Sequence, residues 1–223
     1  MHEIVLDTET TGLDPEAGHR IVEVACIELA NHLPTGRVFH RYVNPEREVP
    51  AEAQLVHGLG TEFLAKHAPF AAVADAFLEF VADTPLVIHN AEFDLGFLNA
   101  ELKRLERPRL ANRAIDTVVL ARRRFPGASA SLDALCRRFA IDLSAREKHG
   151  ARLDCELLAA VYLELVGGRQ PGLDLAASGA GRRQSKLDRP VRPPRPHAPS
   201  AHEQAAHEAF LDKLSAPLWR KTD

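Results

Sequence analysis

Cysteine is scarce in this chain: Cys26, Cys136 and Cys155 are the three in 223 residues, each set in an apolar or helical run and none at a metal-type spacing. An odd, scattered set excludes a disulfide framework and a thiolate metal site, and fits reduced core thiols in a cytoplasm. Long apolar runs are missing too. None approaches the roughly 20 residues that span a bilayer, so no membrane association is expected, and the first residues lack the basic start and apolar stretch of a cleaved leader. Excess positive charge is also absent. The formal net charge is −3, and residues 1–166 carry 18 basic against 25 acidic side chains while 167–223 carry 10 against 6. An acidic first segment does not grip duplex nucleic acid by charge alone; it suits brief handling of a strand end by bound cations. No internal repeat is found.

What is present is a composition of 45% hydrophobic and 26% charged residues, that of one well-buried globular domain with an appendage. Residues 3–8 form an apolar run that breaks at Thr10-Thr11-Gly12, as a buried strand ending in a turn does. Runs at Ile21–Leu29 and Val38–Val43 follow as strands. Ala68–Val81 has helical spacing through Phe70, Val73, Phe77 and Val81, and Leu86–His89 is a further buried strand before a helix carrying Phe93, Phe97, Leu98 and Leu102. A short strand at Ala114–Asp116 precedes helices at Thr117–Arg124, Leu132–Phe139 and Arg152–Val166. Three strands first and strand-helix alternation afterwards predict an α/β fold with a mixed β-sheet flanked by helices.

The domain is expected to occupy residues 1–167. Residues 168–200 include Pro190, Pro193, Pro194, Pro196 and Pro199 with interspersed Arg; such a segment cannot build a core and reads as a flexible linker. Order is expected to return over 201–223. Ser200-Ala-His-Glu203 has capping-box spacing, Phe210, Leu211 and Leu214 are expected on one helix face, and Leu218 and the single Trp, Trp219, follow. That is more apolar surface than a tethered segment hides by itself, and it points to a protein partner.

The chemistry lies in four carboxylates and one histidine. Asp7 and Glu9 are two apart on a strand, so both side chains leave one face. Asp94, in His89-Asn90-Ala91-Glu92-Phe93-Asp94, falls in the first turn of a helix just after a buried strand, at the edge where α/β sheets build their sites. His149 and Asp154 are five apart, about 140° on a continuous helix; they converge only if the helix starts after Gly150, leaving His149 on a mobile loop. Singly, each is an ordinary strand-end acid, helix-start acid or loop histidine. Together, four acids brought from distant sequence repel one another unless hard divalent cations sit between them, and all-oxygen ligands suit Mg²⁺ or Mn²⁺. That is the equipment of two-metal phosphodiester hydrolysis. His57 in Val56-His57-Gly58 is expected on a loop, and Arg122-Arg123-Arg124 reads as a solvated helix end.

In this order the set resembles the DnaQ-like 3′→5′ exonucleases, the family named for Asp, Glu, Asp, Asp and His, over residues 3–166. The resemblance implies a ribonuclease-H-like fold, two Mg²⁺ or Mn²⁺ ions, and release of nucleoside 5′-monophosphates from a 3′ end. It makes Asp7, Glu9 and Asp154 ligands of one ion, Asp7 the bridge to a second, Asp94 a support on that side, and His149 the general base. It also places Asp7, Glu9 and Asp154 among the substrate contacts, with Glu52 and His57 touching the terminal nucleotide and Leu13, Asn90 and Phe93 lining its pocket.

Within that family the nearer likeness is to the proofreading subunits of bacterial replicative DNA polymerases. It runs through Ile4-Val-Leu-Asp-Thr-Glu-Thr-Thr-Gly12, Val56-His-Gly58, Leu86-Val-Ile-His-Asn-Ala91, Phe125-Pro-Gly127 with Ser131-Leu-Asp-Ala-Leu-Cys136, and His149-Gly-Ala151. Ala205-Ala-His-Glu-Ala209 and Leu218-Trp-Arg220 resemble the segment that docks on the polymerase catalytic subunit, with Phe210, Leu211, Leu214, Leu218 and Trp219 as contacts. Gln170-Pro-Gly-Leu-Asp-Leu175 resembles a sliding-clamp-binding peptide through Gln170, Leu173 and Leu175, although it ends in Leu where an aromatic is common. The function implied is proofreading of a single-stranded 3′ end of DNA. A free-standing RNA 3′ exonuclease shares the same metal site, because discrimination rests on 2′-OH contacts, but it leaves the tail unexplained. A catalytically silent adaptor has no use for a self-repelling carboxylate cluster.

Overall fold

The computed structural model describes residues 1–144, 146, 148–167, 198–215 and 217–220, which fall in two units, 1–167 and 198–220. The linker expectation at 168–197 and the clamp-peptide residues Gln170, Leu173 and Leu175 lie outside the described residues. In the first unit β1 (His2–Thr10), β2 (Ile21–Ala30), β3 (Leu33–Tyr42), β4 (Leu86–Ile88) and β5 (Ala114–Asp116) form one sheet in the order β3-β2-β1-β4-β5. The β1/β2 and β2/β3 pairs are antiparallel, and β1/β4 and β4/β5 are parallel. The expected mixed sheet is therefore present. Strand β3 starts five residues before Val38, because Asn31 (φ 51°) and His32 (φ 66°) make the reversal themselves and Leu33 pairs with Ala30. Two central residues at positive φ are what a two-residue type I′ hairpin requires.

Helices α1 (Ala51–His57), α2 (Thr61–Leu64), α3 (Phe70–Val81), α4 (Ala91–Arg104), α5 (Thr117–Arg124), α6 (Leu132–Arg138) and α7 (Ala151–Leu165) complete the unit. Alternation along β1 sorts its side chains between two cores. Ile4 and Leu6 pack with Val24, Cys26 and the apolar stripes of α3 and α4; Val5 faces the other way with Ala25, Ile27 and the inner sides of α5, α6 and α7. Phe77 and Phe97 are each no more than 1% exposed, and truncating such a ring to Ala costs about 3–5 kcal/mol. Helix α3 begins at Phe70, two residues later than its spacing suggests, because Pro69 is held extended at its N-cap and bridges Asn44. Helices α1 and α2 carry no apolar period: α1 buries only His57, and α2 only Leu64. No helix among the described residues is long and apolar enough to cross a membrane.

In the second unit α8 (Ala201–Leu211) has the expected capping box: Ser200 Oγ accepts from Glu203 N at 3.3 Å, and Ser200 N donates to Glu203 Oε2 at 2.8 Å. The single apolar face expected there is corrected. The helix stops at Leu211, so Leu214 lies beyond it, and adjacent positions point apart: Leu211 is buried while Phe210 is 56% exposed. A 3₁₀ turn, Leu218–Arg220, follows with Trp219 71% exposed. Arg220 Nη2 donates to Glu208 at 3.0 Å and to Asp212 at 2.6 Å, tying that turn to α8.

Candidate active site

Beyond Val5 the alternation of β1 carries Asp7 and Glu9 out on the α7 side of the sheet end. Helix α7 starts directly after Gly150, with Asp154 in its first turn and 4% exposed. Two contacts fix that start against β2: Ala151 N donates to Glu23 Oε2 at 3.2 Å, and Cys155 Sγ donates to the Ala25 carbonyl at 3.3 Å. His149 precedes the helix with its side chain half exposed, its backbone N donating to the Val56 carbonyl at 3.2 Å. Its Nδ1 is 3.5 Å from Asp154 Oδ2.

Asp94 approaches from the opposite face of the sheet. The chain turns sharply at Asn90 (φ 70°, ψ 63°) between β4 and α4, and Asp116 holds that turn by accepting from Ala91 N at 3.1 Å while also capping α5 through Val118 N at 2.8 Å. This puts Asp94 in the first turn of α4, where a helix N-terminus favours negative charge. Its Oδ1 accepts from Thr8 N at 2.9 Å and Thr8 Oγ1 at 2.7 Å. One residue of β1 thus aims the fourth acid, while its neighbours Asp7 and Glu9 supply two more.

Asp7, Glu9, Asp94, Asp154, His149, Leu13, Glu52, His57, Asn90 and Phe93 all line one cleft of about 810 Å³. His57 is not on a loop, as the sequence suggests, but in the last turn of α1, ended by Gly58 in the left-handed region (φ 80°). It is 6% exposed, its Nδ1 accepts from Leu59 N at 3.0 Å, and its Nε2 is buried without a partner among the described residues. Arg124 is also more than a solvated charge, since its Nη1 donates to the Leu165 carbonyl at the end of α7 at 2.7 Å.

Crowding sets the electrostatics. Burial, then Asp94 and Glu9, push the Asp7 carboxyl well above its ordinary range. Burial, then Asp154 and Glu23, raise Glu9 to about 8, with Arg146 acting against the rise. Burial raises Asp94 to about 7 although its bonds from Thr8 pull the other way. Buried acids held this way are poor anions by themselves and good ligands for a hard divalent cation, which favours their charged form. Glu9, His149 and Asp154 each offer a donor atom, all within 4.8 Å of one another. The residues present therefore fit a divalent ion.

Four residues of the site carried no signal in the sequence. Thr8 and Asp116 act by hydrogen bonds to residues far along the chain. His89 lines the cleft with its Nδ1 2.8 Å from Thr117 Oγ1, and burial lowers its pKa. Arg146 forks onto Asp154, Nε to Oδ1 and Nη2 to Oδ2, both at 2.6 Å. A single arginine in a polar stretch matches no pattern.

The comparisons with known proteins agree with this geometry. An exonuclease family model, of the RNase T type, matches residues 4–162. The DNA polymerase III subunit epsilon of Rickettsia prowazekii is 46% identical over 228 residues, covering 96% of this chain and 97% of that protein. That of Escherichia coli K12 is 42% identical over 98% of this chain and 97% of its own length. The chain belongs to this exonuclease family and, within it, to the epsilon subunits. It is a divalent-metal-dependent 3′→5′ exonuclease. Among solved structures, the nuclease domain of 3′hExo, a DEDDh family member bound to rAMP, superposes with a TM-score of 0.65 at 18% identity, over 74% of this chain and 91% of that one. Exonuclease X in complex with 5′ overhanging duplex DNA gives 0.58 at 24% identity, over 74% and 90%. Both share the fold, the ribonuclease-H-like mixed sheet.

Proposed function

We propose that this exonuclease removes mispaired nucleotides from the single-stranded 3′ end of DNA, as the proofreading subunit of a DNA polymerase III, with two Mg²⁺ or Mn²⁺ ions. The observation that carries this reading is the convergence of Asp7, Glu9, Asp94, Asp154 and His149 on one cleft, whose 810 Å³ falls in the size range of small-ligand sites. Asp7, Glu9 and Asp154 would hold one ion, and Asp7, supported by Asp94, the other. Ions bound there would lower the pKa of the attacking water and neutralise charge growing on the phosphate.

The chain's own groups do the rest. His149 accepts the proton of the attacking water. His57, whose Nδ1 accepts from Leu59 N, lines the cleft from the last turn of α1, placed to touch the terminal nucleotide. Leu13, 84% exposed, and Phe93 offer apolar surface to the bases with Asn90 beside them, while Glu52 touches the terminal nucleotide.

The likeness to the epsilon subunits extends over nearly the whole chain, the C-terminal unit included. That supports residues 1–167 as the nuclease domain and 201–223 as the polymerase contact, through Phe210, Leu211, Leu214, Leu218 and Trp219. The linker 168–200 then carries the clamp peptide of Gln170, Leu173 and Leu175. A DNA strand labelled at its 5′ end and mispaired at its 3′ end is expected to shorten stepwise with Mg²⁺ and to stop with chelator. Faster shortening of RNA than of DNA of the same sequence, or none of either, overturns the reading.

A further inference from the structure

Arg146 is spread over the groups that the reaction needs free. Besides the two bonds to Asp154, its Nη2 donates to His149 Nδ1 at 3.0 Å, and its Nη1 is held by Asp133. A neutral imidazole has one nitrogen lone pair. Here that lone pair faces a guanidinium, and a histidine so engaged cannot take a proton from water. Asp154 and His149 are also two of the three groups whose donor atoms cluster with Glu9. Both the ion's ligand and the reaction's base are therefore in the grip of one side chain, which is itself only 9% exposed.

We propose that Arg146 is a built-in counter-cation, pairing with Asp154 and covering the His149 lone pair until a divalent ion takes Asp154 from it. This rests on the metal reading of the site. A planar guanidinium matches a carboxylate on both oxygens, so it satisfies Asp154 among crowded acids when no ion does. The release is eased by Asp133: it is 42% exposed and lines, with Arg146 and Ser131, a recess of about 280 Å³ beside the cleft. The guanidinium thus keeps one carboxylate partner after it leaves the other. Ligand and base are freed in the same exchange.

The opposite role has the opposite signature. An arginine that stays in place and orients Asp154 for the ion supports binding, and losing such an outer partner weakens metal affinity by about 10–100-fold. A competing arginine lowers the fraction of binding-competent sites, so its loss tightens binding. The full-length chain, stripped with chelator and titrated with Mn²⁺ while free Mn²⁺ is followed by electron paramagnetic resonance, separates the two. Arg146→Gln is expected to bind Mn²⁺ about tenfold more tightly than the unsubstituted chain, with a lower melting temperature in chelator. Unchanged or weaker binding overturns the proposal. No Mn²⁺ binding by the unsubstituted chain overturns the metal reading beneath it as well. A second measurement needs no folded glutamine variant: the Arg146 Nε–H resonance of the unsubstituted chain, assigned with Arg146→Lys, should move towards that of free arginine on adding Mg²⁺. A resonance that stays where chelator leaves it also overturns the proposal.

Discussion

Thr8 holds Asp94 by one oxygen, with its backbone N at 2.9 Å and its hydroxyl at 2.7 Å both directed to Oδ1. The other oxygen is left for the cleft. Thr8→Val keeps the shape and the backbone bond and removes the hydroxyl donor. It is expected to lower turnover or metal affinity about 10–100-fold, as loss of an orienting partner does, and to cost about 1 kcal/mol of stability. Steady-state kinetics and calorimetric Mg²⁺ titration check it; kinetics like those of the unsubstituted chain refute it.

Asp7 stands among Asp94, Glu9 and Asp154, all of which oppose its ionisation. Asp7→Asn should abolish hydrolysis and raise the melting temperature measured in chelator near neutral pH, because the amide is neutral without taking up the proton that burial and its neighbours force on Asp7 in the folded chain. A variant that melts lower in chelator would show that repulsion is not what Asp7 experiences there.

The raised acids also fix a sign for pH. Glu9, lifted to about 8, and Asp94, lifted to about 7, keep protons in the folded chain that the unfolded chain has already released. Over the interval from about 4 up to those values the native state binds more protons, so the ion-free protein loses stability as pH rises. Melting curves in chelator should fall from pH 5 to pH 8, and Mg²⁺ should flatten the slope. A melting temperature that climbs over that interval contradicts the assignment.

His149→Ala is expected to cut turnover by about 10²–10⁴-fold, the usual contribution of a general base, with Mg²⁺ affinity little changed. A parallel loss of metal affinity would instead make His149 a ligand, as its place in the donor cluster with Glu9 and Asp154 allows.

A chain ending at Gly167 should still shorten free single strands, because every proposed ligand lies before that point, yet fail to co-elute with the polymerase catalytic subunit. Trp219→Ala in the full chain should weaken that complex by about 2 kcal/mol or more if the ring is a buried anchor there. Gln170→Ala with Leu173→Ala should weaken clamp binding and spare hydrolysis. Undiminished co-elution of the shortened chain moves the interface to the nuclease domain.

The parts of the fold legible in the sequence were those governed by periodicity. The apolar residues of α3 at 70, 73, 74, 77 and 81 and the run before Asp7 mark buried faces by themselves. The site acids were legible because β1, α4 and α7 place them at element ends, where strand alternation and helix starts are simple geometry. What stayed hidden depends on partners far along the chain. Helix α1 has no apolar stripe, so His57 looked like a loop residue, and the Thr8 and Arg146 contacts arise only when β1, α4, α6 and α7 meet. The start of β3 carries no sequence signal, because a hairpin of Asn31 and His32 resembles no common turn pair.

The backbone bond from His149 N to the Val56 carbonyl, 3.2 Å, has a mechanical meaning. Val56 sits beside His57 in the last turn of α1, which lines the cleft, and His149 is the proposed proton acceptor. The two are joined through main chain, so an outward shift of α1 would either break this bond or draw the backbone of His149 with it. If His149 is the base, the position of α1 and the position of the proton acceptor are linked by that one hydrogen bond.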